Sequence, residues 1–282
     1  MKADFDVLWD FSDPASTAAR FEALLAETTD PDYSNEIKSQ IARCLGLQRK
    51  FDAAHELLDE IAENLTPMTT SEVRYLLERG RVLNSSGDPV LATELFRQAT
   101  ELAQSIGEEV LAIDAIHMLG IADSPGNRLR WNEMAIEMSQ KSDNPKSKKW
   151  LASLLNNTGW TYFDSGNYSR SLELFTEARE LRENMGQQSN EQVARWCIAR
   201  TLRALGRNEE ALTMQLVLAD EVERDGYVQE ELAELYVSAN DIEKSAAAAN
   251  RALEVLGEDA AFVTSEPDRL ARLRALAKAH NS

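Results

Sequence analysis

Apolar and small residues recur along the chain at spacings of three and four, which is the period of an amphipathic helix. In the stretch LLNNTGWTYFDSGNYSRSLELFTEARELR, residues 154–182, Leu155, Gly159 and Tyr162 fall on one such face. The turn-forming residues DSGN then interrupt the pattern, and a second apolar stripe follows that includes Phe175. The pattern predicts two helices joined by a short turn.

The same helix-turn-helix pattern recurs in four further segments, and each has a small residue on its first helix. One hairpin cannot cover its own apolar stripe, so neighbouring hairpins must stack to bury a continuous core. The segments and their small residues are SQIARCLGLQRKFDAAHELLDEIA with Ala42, RYLLERGRVLNSSGDPVLATELFRQATELA with Gly80, ARWCIARTLRALGRNEEALTMQLVLA with Ala199, and ELAELYVSANDIEKSAAAANRALEVL with Ala233.

A sixth hairpin is predicted over residues 110–140, but its register to the others is ambiguous. Its small residue is either Ala112 or Ala115. Single helices are predicted at both ends of the chain. The first begins at Asp13, and the last is expected to be capped by Ser265 with a proline in its first turn.

The repeated unit resembles the tetratricopeptide repeat, in which a small residue on the first helix and an alanine on the second accompany aromatic residues. The resemblance covers residues 35–255. Its long helices are similar to those of kinesin light chains, bacterial peptide receptors and uncharacterised bacterial repeat proteins. It implies an all-α, tetratricopeptide-like α-solenoid, a right-handed superhelix of about six repeats. We expect one domain over 1–282, with caps at 1–34 and 256–282.

The resemblance also implies that the first helix of each hairpin lines a concave groove. Asn156 and Asn157 lie just before the small residue Gly159, where related proteins hold a peptide backbone with an asparagine. A carboxamide suits that task because it offers both a donor and an acceptor. The alternative is that both side chains face water or satisfy a neighbouring carbonyl.

The residue after the small position is an arginine in three repeats and a tryptophan in a fourth. Arginine can hold carboxylates with two parallel hydrogen bonds, and tryptophan can cover an apolar side chain. These residues are therefore expected to form a ladder on the inner surface. The alternative is that the arginines pair with acids of the adjacent repeat. The four residues are Arg43, Arg81, Arg200 and Trp160.

The run QVARWCIARTLRALGRN, residues 192–208, contains four arginines and no acid. Arg200 and Arg203 are three apart and share a helix face, while Trp196 is a further candidate for the groove. We predict a docking site for an acidic peptide or a C-terminal carboxylate. The full set of groove candidates is Asn156, Asn157, Trp160, Trp196, Arg200, Arg203, Arg81 and Arg43.

The net charge of −18 over 282 residues is unevenly distributed. Residues 1–65 carry −8, residues 66–208 carry −1, and residues 209–282 carry −9. An acidic chain has no general attraction to nucleic acid or to an anionic membrane, so neither is an expected partner. The nearly neutral middle third is the part best suited to an acidic partner.

The compartment is predicted from what the sequence lacks. No apolar run approaches the roughly 20 residues of a bilayer-spanning helix. The N-terminal sequence has no apolar signal core. Two distant cysteines, Cys44 and Cys197, do not form a disulfide framework. We therefore expect a cytoplasmic protein.

No motif predicts catalysis. The histidines, His55, His117 and His280, lie on separate elements and lack metal-ligand spacing. We expect no enzyme activity, no metal and no cofactor. The aromatic stretch VLWDF at 7–11 is expected to pack on the first repeat as a cap, with a strand-like arm as the alternative.

Three functions remain open at this point. The first is a non-catalytic scaffold that binds a peptide or a partner helix in its groove. The second is a regulatory receptor that responds to a ligand or peptide, as the long-repeat bacterial proteins do. The third is self-association through stacked arrays, against which the like charge of the two ends argues.

Overall fold

The computed structural model describes residues 3–222 and 224–279. Within these ranges the chain consists of helices and short turns and contains no β-strand. Packing divides it into two compact units, an N-terminal unit of residues 1–154 and a C-terminal unit of residues 155–282. The expectation of one domain over 1–282 stays a prediction.

The N-terminal unit contains the first three repeat hairpins, preceded by two helices. Each hairpin pairs consecutive helices, and the first helix of a fourth hairpin begins within this unit. The helices are α1 (Phe5–Leu8), α2 (Pro14–Ala26), α3 (Pro31–Leu47), α4 (Phe51–Ala62), α5 (Thr70–Ser86), α6 (Pro89–Ser105), α7 (Glu109–Ala122), α8 (Pro125–Lys141) and the start of α9 (Pro145–Asp164).

The C-terminal unit contains the remaining three hairpins and two closing helices. The end of α9 pairs with α10 to complete the fourth hairpin. The six predicted hairpins are thereby confirmed. The helices are α10 (Tyr168–Asn184), α11 (Gln188–Ala204), α12 (Asn208–Glu221), α13 (Gly226–Ser238), α14 (Ile242–Leu256), α15 (Ala260–Ser265) and α16 (Pro267–Lys278).

Helix starts follow the predicted capping chemistry at the N-terminal end. Asp13 accepts a hydrogen bond from the Ser16 backbone N–H, and a proline occupies the next position. Asp88 caps α6 in the same way. An aspartate side chain satisfies a backbone N–H that has no partner within the helix. Proline fits the first helical position because its N–H would be unpaired there in any case.

Two features of the chain ends differ in detail from the predictions. Ser265 does not cap the last helix, because it is the final residue of an additional helix, α15, and its hydroxyl donates to Ala261 O. Helix α16 instead begins after Glu266. At the other end, the aromatic stretch 7–11 begins within the short helix α1 instead of forming a strand-like arm, and its Trp9 packs on the first repeat, as the cap prediction expected.

Close approach within a hairpin explains the small residue on its first helix. A Cβ atom added to Gly159 would lie 2.7 Å from the Phe175 ring on the second helix. The same addition at Gly80 would lie 2.5 Å from the Phe96 ring. A larger side chain would push the two helices apart, so both glycines are required for packing.

The third hairpin has a different register from the two that the sequence suggested. Arg81 of the second hairpin pairs with Asp114, just as Arg43 of the first hairpin approaches Glu78, which lies two residues before Gly80. By that equivalence the small position falls at Ile116, and not at Ala112 or Ala115. The side chain at 116 is large, and the close approach lies one turn later, where a Cβ on Gly120 would meet Asn132.

Candidate functional site

Aromatic side chains form a continuous row in the C-terminal unit. The Trp160 ring of α9 lies 5.7 Å from the Trp196 ring of α11 and 5.2 Å from the Phe175 ring, centroid to centroid. Trp196 lies 5.8 Å from Tyr227 of α13, which lies 5.9 Å from Phe262. We call Trp160, Trp196 and Tyr227 the aromatic face. These three rings retain solvent exposure, whereas Phe175 is fully buried.

The two asparagines that precede Gly159 have different surroundings. Asn156 Oδ1 accepts a weak hydrogen bond from Cys197 Sγ at 3.8 Å. The carboxamide of Asn157 has no hydrogen-bond partner among the residues that the structure describes, although the residue is half-buried. Only its backbone carbonyl is used, as the acceptor from Thr161. Asn157 therefore offers a donor and an acceptor beside the aromatic face.

Arg200 and Arg203 lie together, and both approach a buried acid. Arg203 Nη2 donates to Glu231 Oε2 at 3.1 Å, and its Nε donates to the other carboxylate oxygen. Arg200 Nη1 lies 3.6 Å from the same carboxylate. Burial acts to lower the pKa of Arg203, but the Glu231 carboxylate raises it above its ordinary value. Glu231 thus holds the two guanidinium groups.

Two arginines that share one carboxylate leave one positive charge uncompensated. Arg203 makes the two-pronged contact with Glu231, whereas Arg200 makes the longer one and also lies 5.5 Å from the centroid of the Trp196 ring. A guanidinium over an indole ring is stabilised by the ring quadrupole. Arg200 is therefore the cation of this pair that is closest to the aromatic face and best able to accept another anion.

The other two arginines of the run 192–208 are also paired. Arg195 contacts Glu191 at 3.0 Å and both carboxylate oxygens of Glu221. Arg207 contacts Glu210 on the following helix at 2.7 Å. The excess of positive charge that the run shows in sequence is thus largely neutralised by acids from outside it.

The arginines of the N-terminal unit take part in a second buried network. Arg81 donates to Glu78 at 2.6 Å and also to Asp114, while Arg43 lies 3.8 Å from Glu78. Burial opposes charge on Arg81, but the Asp114 and Glu78 carboxylates raise its pKa. Removing one member would leave an uncompensated charge in the interior. Arg43 and Arg81 therefore connect neighbouring hairpins through acids of the adjacent repeat.

The residues that the sequence-based prediction missed occupy one repeat position, two before the small residue. Glu78 and Glu231 hold that position in their hairpins, and Asn157 holds it in the fourth. An arginine after the small residue of one hairpin meets an acid at this position of the next. Comparing equivalent positions between repeats would have exposed this signal. The residues at this position, in chain order, are Gln40, Glu78, Asp114, Asn157, Cys197 and Glu231.

First helices line a cavity of about 710 Å³ in the N-terminal unit. Gln40 of α3, Arg74 of α5, Asp114 of α7 and Trp150 of α9 contribute to its wall, and none of its described lining residues comes from α4, α6 or α8. Gln40 is the counterpart of Asn157 in the first hairpin. In the first hairpin, the residue two positions before the small residue therefore faces a cavity.

A smaller apolar cavity of about 430 Å³ lies in the C-terminal unit between α11, the end of α12 and the start of α13. Its wall includes Val193, Trp196, Val222 and Tyr227. The Trp196 indole N–H donates to Tyr227 O at 3.0 Å, which fixes the ring at the cavity wall. Val193 is half exposed, at 50%. The cavity can receive one apolar side chain beside the aromatic face.

Both cysteines and His117 are buried. Burial raises the pKa of the Cys44 thiol and of the Cys197 thiol to about 12. His117 lies against the Trp150 ring at 5.5 Å, and burial lowers its pKa. His280 lies outside the described residues. In the described part of the chain no group of three histidine, cysteine or acidic side chains could hold a metal, and no helix there is long and apolar enough to cross a membrane.

The family profile of the tetratricopeptide repeat matches residues 151–185, which form the end of α9 and the helix α10. This match agrees with the repeat pattern read from the sequence. None of the curated protein sequences matches the chain.

Solved structures with similar folds include RapI and two proteins described as a sensor or as containing one. The apo form of RapI superposes with a TM-score of 0.73 at 12% identity, covering 94% of this chain and 76% of RapI. A STAND ATPase with a tetratricopeptide repeat sensor from Pyrococcus horikoshii gives a TM-score of 0.74 at 16% identity, covering 95% of this chain and 42% of that protein.

A third similar structure is the apo form of the quorum sensor NprR from B. thuringiensis. It gives a TM-score of 0.66 at 14% identity, covering 93% of this chain and 75% of NprR. The structure of NprR in complex with its cognate peptide NprX superposes with a TM-score of 0.57 at 14% identity, covering 95% of this chain and 80% of the NprR chain. Identities this low show a shared fold, the tetratricopeptide-type α-solenoid.

Proposed function

We propose that this tetratricopeptide-repeat chain is a binding module whose ligand, a peptide or a partner helix, lies on the aromatic face of the C-terminal unit. The observation that carries the proposal is the Asn157 carboxamide, which is half-buried and has no hydrogen-bond partner among the described residues. A partly exposed carboxamide without a partner in the protein can exchange its contacts with water for hydrogen bonds to a ligand backbone. NprR, which has a similar fold, binds its cognate peptide NprX.

The aromatic face supplies the apolar part of the proposed contact. Trp160 and Trp196 offer large rigid surfaces, and the 430 Å³ cavity beside Trp196 has room for one ligand side chain. Because the packed helices hold these groups in place, binding orders the ligand and little of the protein. Asn156 has a weaker part in the proposal, since its carboxamide oxygen already contacts Cys197.

Charge favours a ligand with one carboxylate near Arg200. Glu231 neutralises only one of the two guanidinium groups beside it, so a single anionic group can be accommodated without breaking the existing pair. We assign a structural role to the other three arginines of the predicted groove. Each pairs with a buried acid and so holds first helices together, and these arginines are Arg203, Arg43 and Arg81. A strongly acidic ligand is disfavoured, since it would have to displace Glu231.

The test is a titration of the full chain with peptides selected from a random library by the wild-type protein. Asn157→Ala is expected to weaken binding about tenfold, because it removes the hydrogen bonds to the ligand backbone. Asn156→Ala serves as the matched control, with a change of less than about threefold. Equal losses for the two variants, or no selected peptide at all, would contradict the proposal.

The carboxylate preference has its own test. Arg200→Gln is expected to remove the difference in affinity between a selected peptide with a free C-terminal carboxylate and its amidated form. Arg207→Gln is the control, because Arg207 is exposed and pairs with Glu210 on the following helix. If the wild-type chain binds the amidated and free peptides equally, Arg200 has no such role.

A second candidate function is a regulatory receptor that changes shape when it binds a peptide. It is supported by the similarity in fold to the quorum sensor NprR over 93% of this chain. Small-angle scattering of the full chain, with and without a selected peptide, separates the two. A change in radius of gyration on binding favours the receptor, and an unchanged radius favours the plain module.

A further inference from the structure

A short segment at the start of the chain lies on the first helices of the N-terminal unit. We call residues 3–11, ADFDVLWDF, the N-terminal segment. Its Phe5 is buried, with its ring 5.8 Å from the Tyr33 ring and 5.3 Å from the Phe21 ring. The Arg74 guanidinium lies 4.8 Å from the centroid of the Phe5 ring. An aromatic ring and a cation thus hold the side chain on either side.

The second aromatic anchor of the segment is Trp9. Its indole N–H donates to Gln40 Oε1 at 3.2 Å, and Arg43 lies 5.0 Å from its ring centroid. Phe11 stacks on Trp9 at 4.8 Å and is 62% exposed. Gln40 holds the repeat position that Asn157 holds in the fourth hairpin. A carboxamide at this position therefore already accepts a hydrogen bond from a side chain of the same chain's N-terminal segment.

Charge holds the segment at its other end. Lys146 of α9 contacts Asp4 at 2.6 Å and Asp6 at 3.5 Å, and these are the carboxylates it meets in the described part of the chain. The hydrogen bond that Lys146 donates to Asp4 raises the pKa of Lys146. Lys149, which lines the same cavity, makes no salt bridge among the described residues, but its charge joins the Lys146 hydrogen bond in lowering the pKa of Asp4. Without the segment, two lysines on this surface would lack an anion.

The segment fills only part of its groove. A cavity of about 710 Å³ remains between the segment and the first helices, with Asp4, Phe5 and Trp9 on one wall and Lys149 and Trp150 on the other. That volume is in the range of sites that hold small ligands and short peptides. The ion pairs at Lys146 are half exposed, and such pairs contribute little to stability. The charged contacts at Lys146 can therefore be exchanged, whereas Phe5 and Trp9 supply the apolar part of the binding.

We infer that the first helices of the N-terminal unit form a second peptide site, which accepts an acidic, aromatic segment of a partner protein and which the N-terminal segment occupies in the free chain. The ligand chemistry follows from the occupant. Carboxylates meet Lys146 and Lys149, one aromatic ring fits between Tyr33 and Arg74, and a second ring reaches Gln40 and Arg43. This inference concerns the N-terminal unit and does not rest on the function proposed for the C-terminal unit.

The experiment titrates a fluorescently labelled peptide, ADFDVLWDF, into the full chain and follows anisotropy. The test variant of the protein carries both Asp4→Lys and Asp6→Lys. Lys146 then repels the N-terminal segment, while the buried Phe5 is unchanged. This variant is expected to bind the peptide about tenfold more tightly than the wild type, because competition within the chain is weakened. Circular dichroism of the variant checks that helix content is unchanged.

Matched lysines on α9 test where the peptide binds. Adding Lys146→Glu to the charge-reversed protein is expected to abolish the gain, since the site then repels the peptide and attracts the reversed segment. Adding Lys148→Glu is the control, because Lys148 is exposed on the same helix and does not line the cavity. A peptide with asparagine in place of its three aspartates is expected to bind at least about tenfold more weakly.

Several results would overturn the inference. The first is equal affinity of the peptide for the wild-type and charge-reversed proteins. The second is an equal effect of Lys146→Glu and Lys148→Glu on peptide binding. The third is equal affinity of the asparagine peptide and the original peptide for the charge-reversed protein. Wild-type dimers that dissociate when free peptide is added would assign the groove to the segment of a second copy, and would also overturn it. The function proposed for the C-terminal unit is tested with variants of Asn157, and the present inference with variants in the N-terminal unit. Failure of one proposal can therefore be distinguished from failure of the other.

Discussion

At the scale of single residues, some predicted site residues form ion pairs within the protein, whereas others have side chains that a ligand can still contact. Arg81 and Arg203 are held by buried acids, whereas the Asn157 carboxamide has no partner in the described part of the chain. A buried ion pair is costly to break, because the remaining charge is left without compensation. In the C-terminal unit the residues best suited to a ligand are therefore Asn157 and Arg200, and not the arginine that Glu231 holds with two hydrogen bonds.

Asp123 provides a test of residue chemistry through pH. Burial acts to raise the pKa of Asp123, but hydrogen bonds from the Trp131 indole, the Ser124 backbone and Arg97 lower it from 3.8 to about 2. A lowered folded-state pKa means that the carboxylate stabilises the fold above the unfolded-state pKa, and that this stability is lost as pH falls through the folded-state value. Asp123→Asn is expected to cost about 1–3 kcal/mol at pH 7.

The measurement is the difference in Tm between wild type and Asp123→Asn at a series of pH values. That difference is expected to be largest at neutral pH and to shrink between about pH 4 and pH 2, since both proteins then carry a neutral side chain at this position. A difference that stays constant down to pH 2 would show that the ionised carboxylate is not what stabilises the turn.

At the scale of elements, the hairpin depends on two helices that approach at one small residue. In the fourth hairpin the Phe175 ring occupies the space that a Cβ on Gly159 would need. Neighbouring hairpins are then joined by arginine–acid pairs between first helices, as Arg81 and Asp114 show. Packing within a hairpin and charge between hairpins thus have separate roles in the repeat.

Gly159→Ala tests the packing within the hairpin. The added methyl group would lie 2.7 Å from the Phe175 ring, so the helices must shift, at a cost of about 1–3 kcal/mol. Alanine recovers about 1 kcal/mol of helix propensity, and a net loss of up to about 2 kcal/mol is expected in urea unfolding. Gly126→Ala is the control, because nothing lies within 4 Å of its added Cβ. Equal stability of both variants would contradict the close approach.

At the scale of the whole molecule, the acidic excess is the dominant electrostatic fact. The chain carries −18, and many of its 30 basic residues are already engaged in internal pairs. Unpaired acids therefore repel one another over the surface, which keeps the protein soluble and works against the compact state. Salt screens this repulsion, and it also weakens the exposed ion pairs.

The balance of these two effects predicts a higher Tm in salt. Raising sodium chloride from about 10 mM to about 200 mM is expected to raise Tm by a few degrees, because the repulsion among excess acids is screened more than the buried pairs are weakened. The chloride salt is the suitable choice, since sulfate also stabilises proteins through exclusion from their surface. A lower Tm at the higher salt concentration would mean that exposed ion pairs dominate the stability.

The sequence by itself determined the hairpins, because each is fixed by local features. Apolar spacing set the helix faces, aspartate and proline set the starts of α2 and α6, and the small residues Gly80 and Gly159 marked the packing points. It missed the register of the third hairpin, since Ile116 is not small. It also placed the last cap at Ser265, because the sequence does not separate α15 from α16.

Only the tertiary structure decided which candidate site residues have partners. Glu78 and Glu231 are 35 and 31 positions away from Arg43 and Arg200, so periodicity within one helix carries no information about those pairs. The sequence predicted that the aromatic stretch 7–11 packs on the first repeat, where Trp9 meets Gln40, but it did not predict the contact of Asp4 with Lys146, which lies 142 residues away. Contacts between repeats depend on how the hairpins stack, and stacking is set by packing of the folded chain rather than by local sequence.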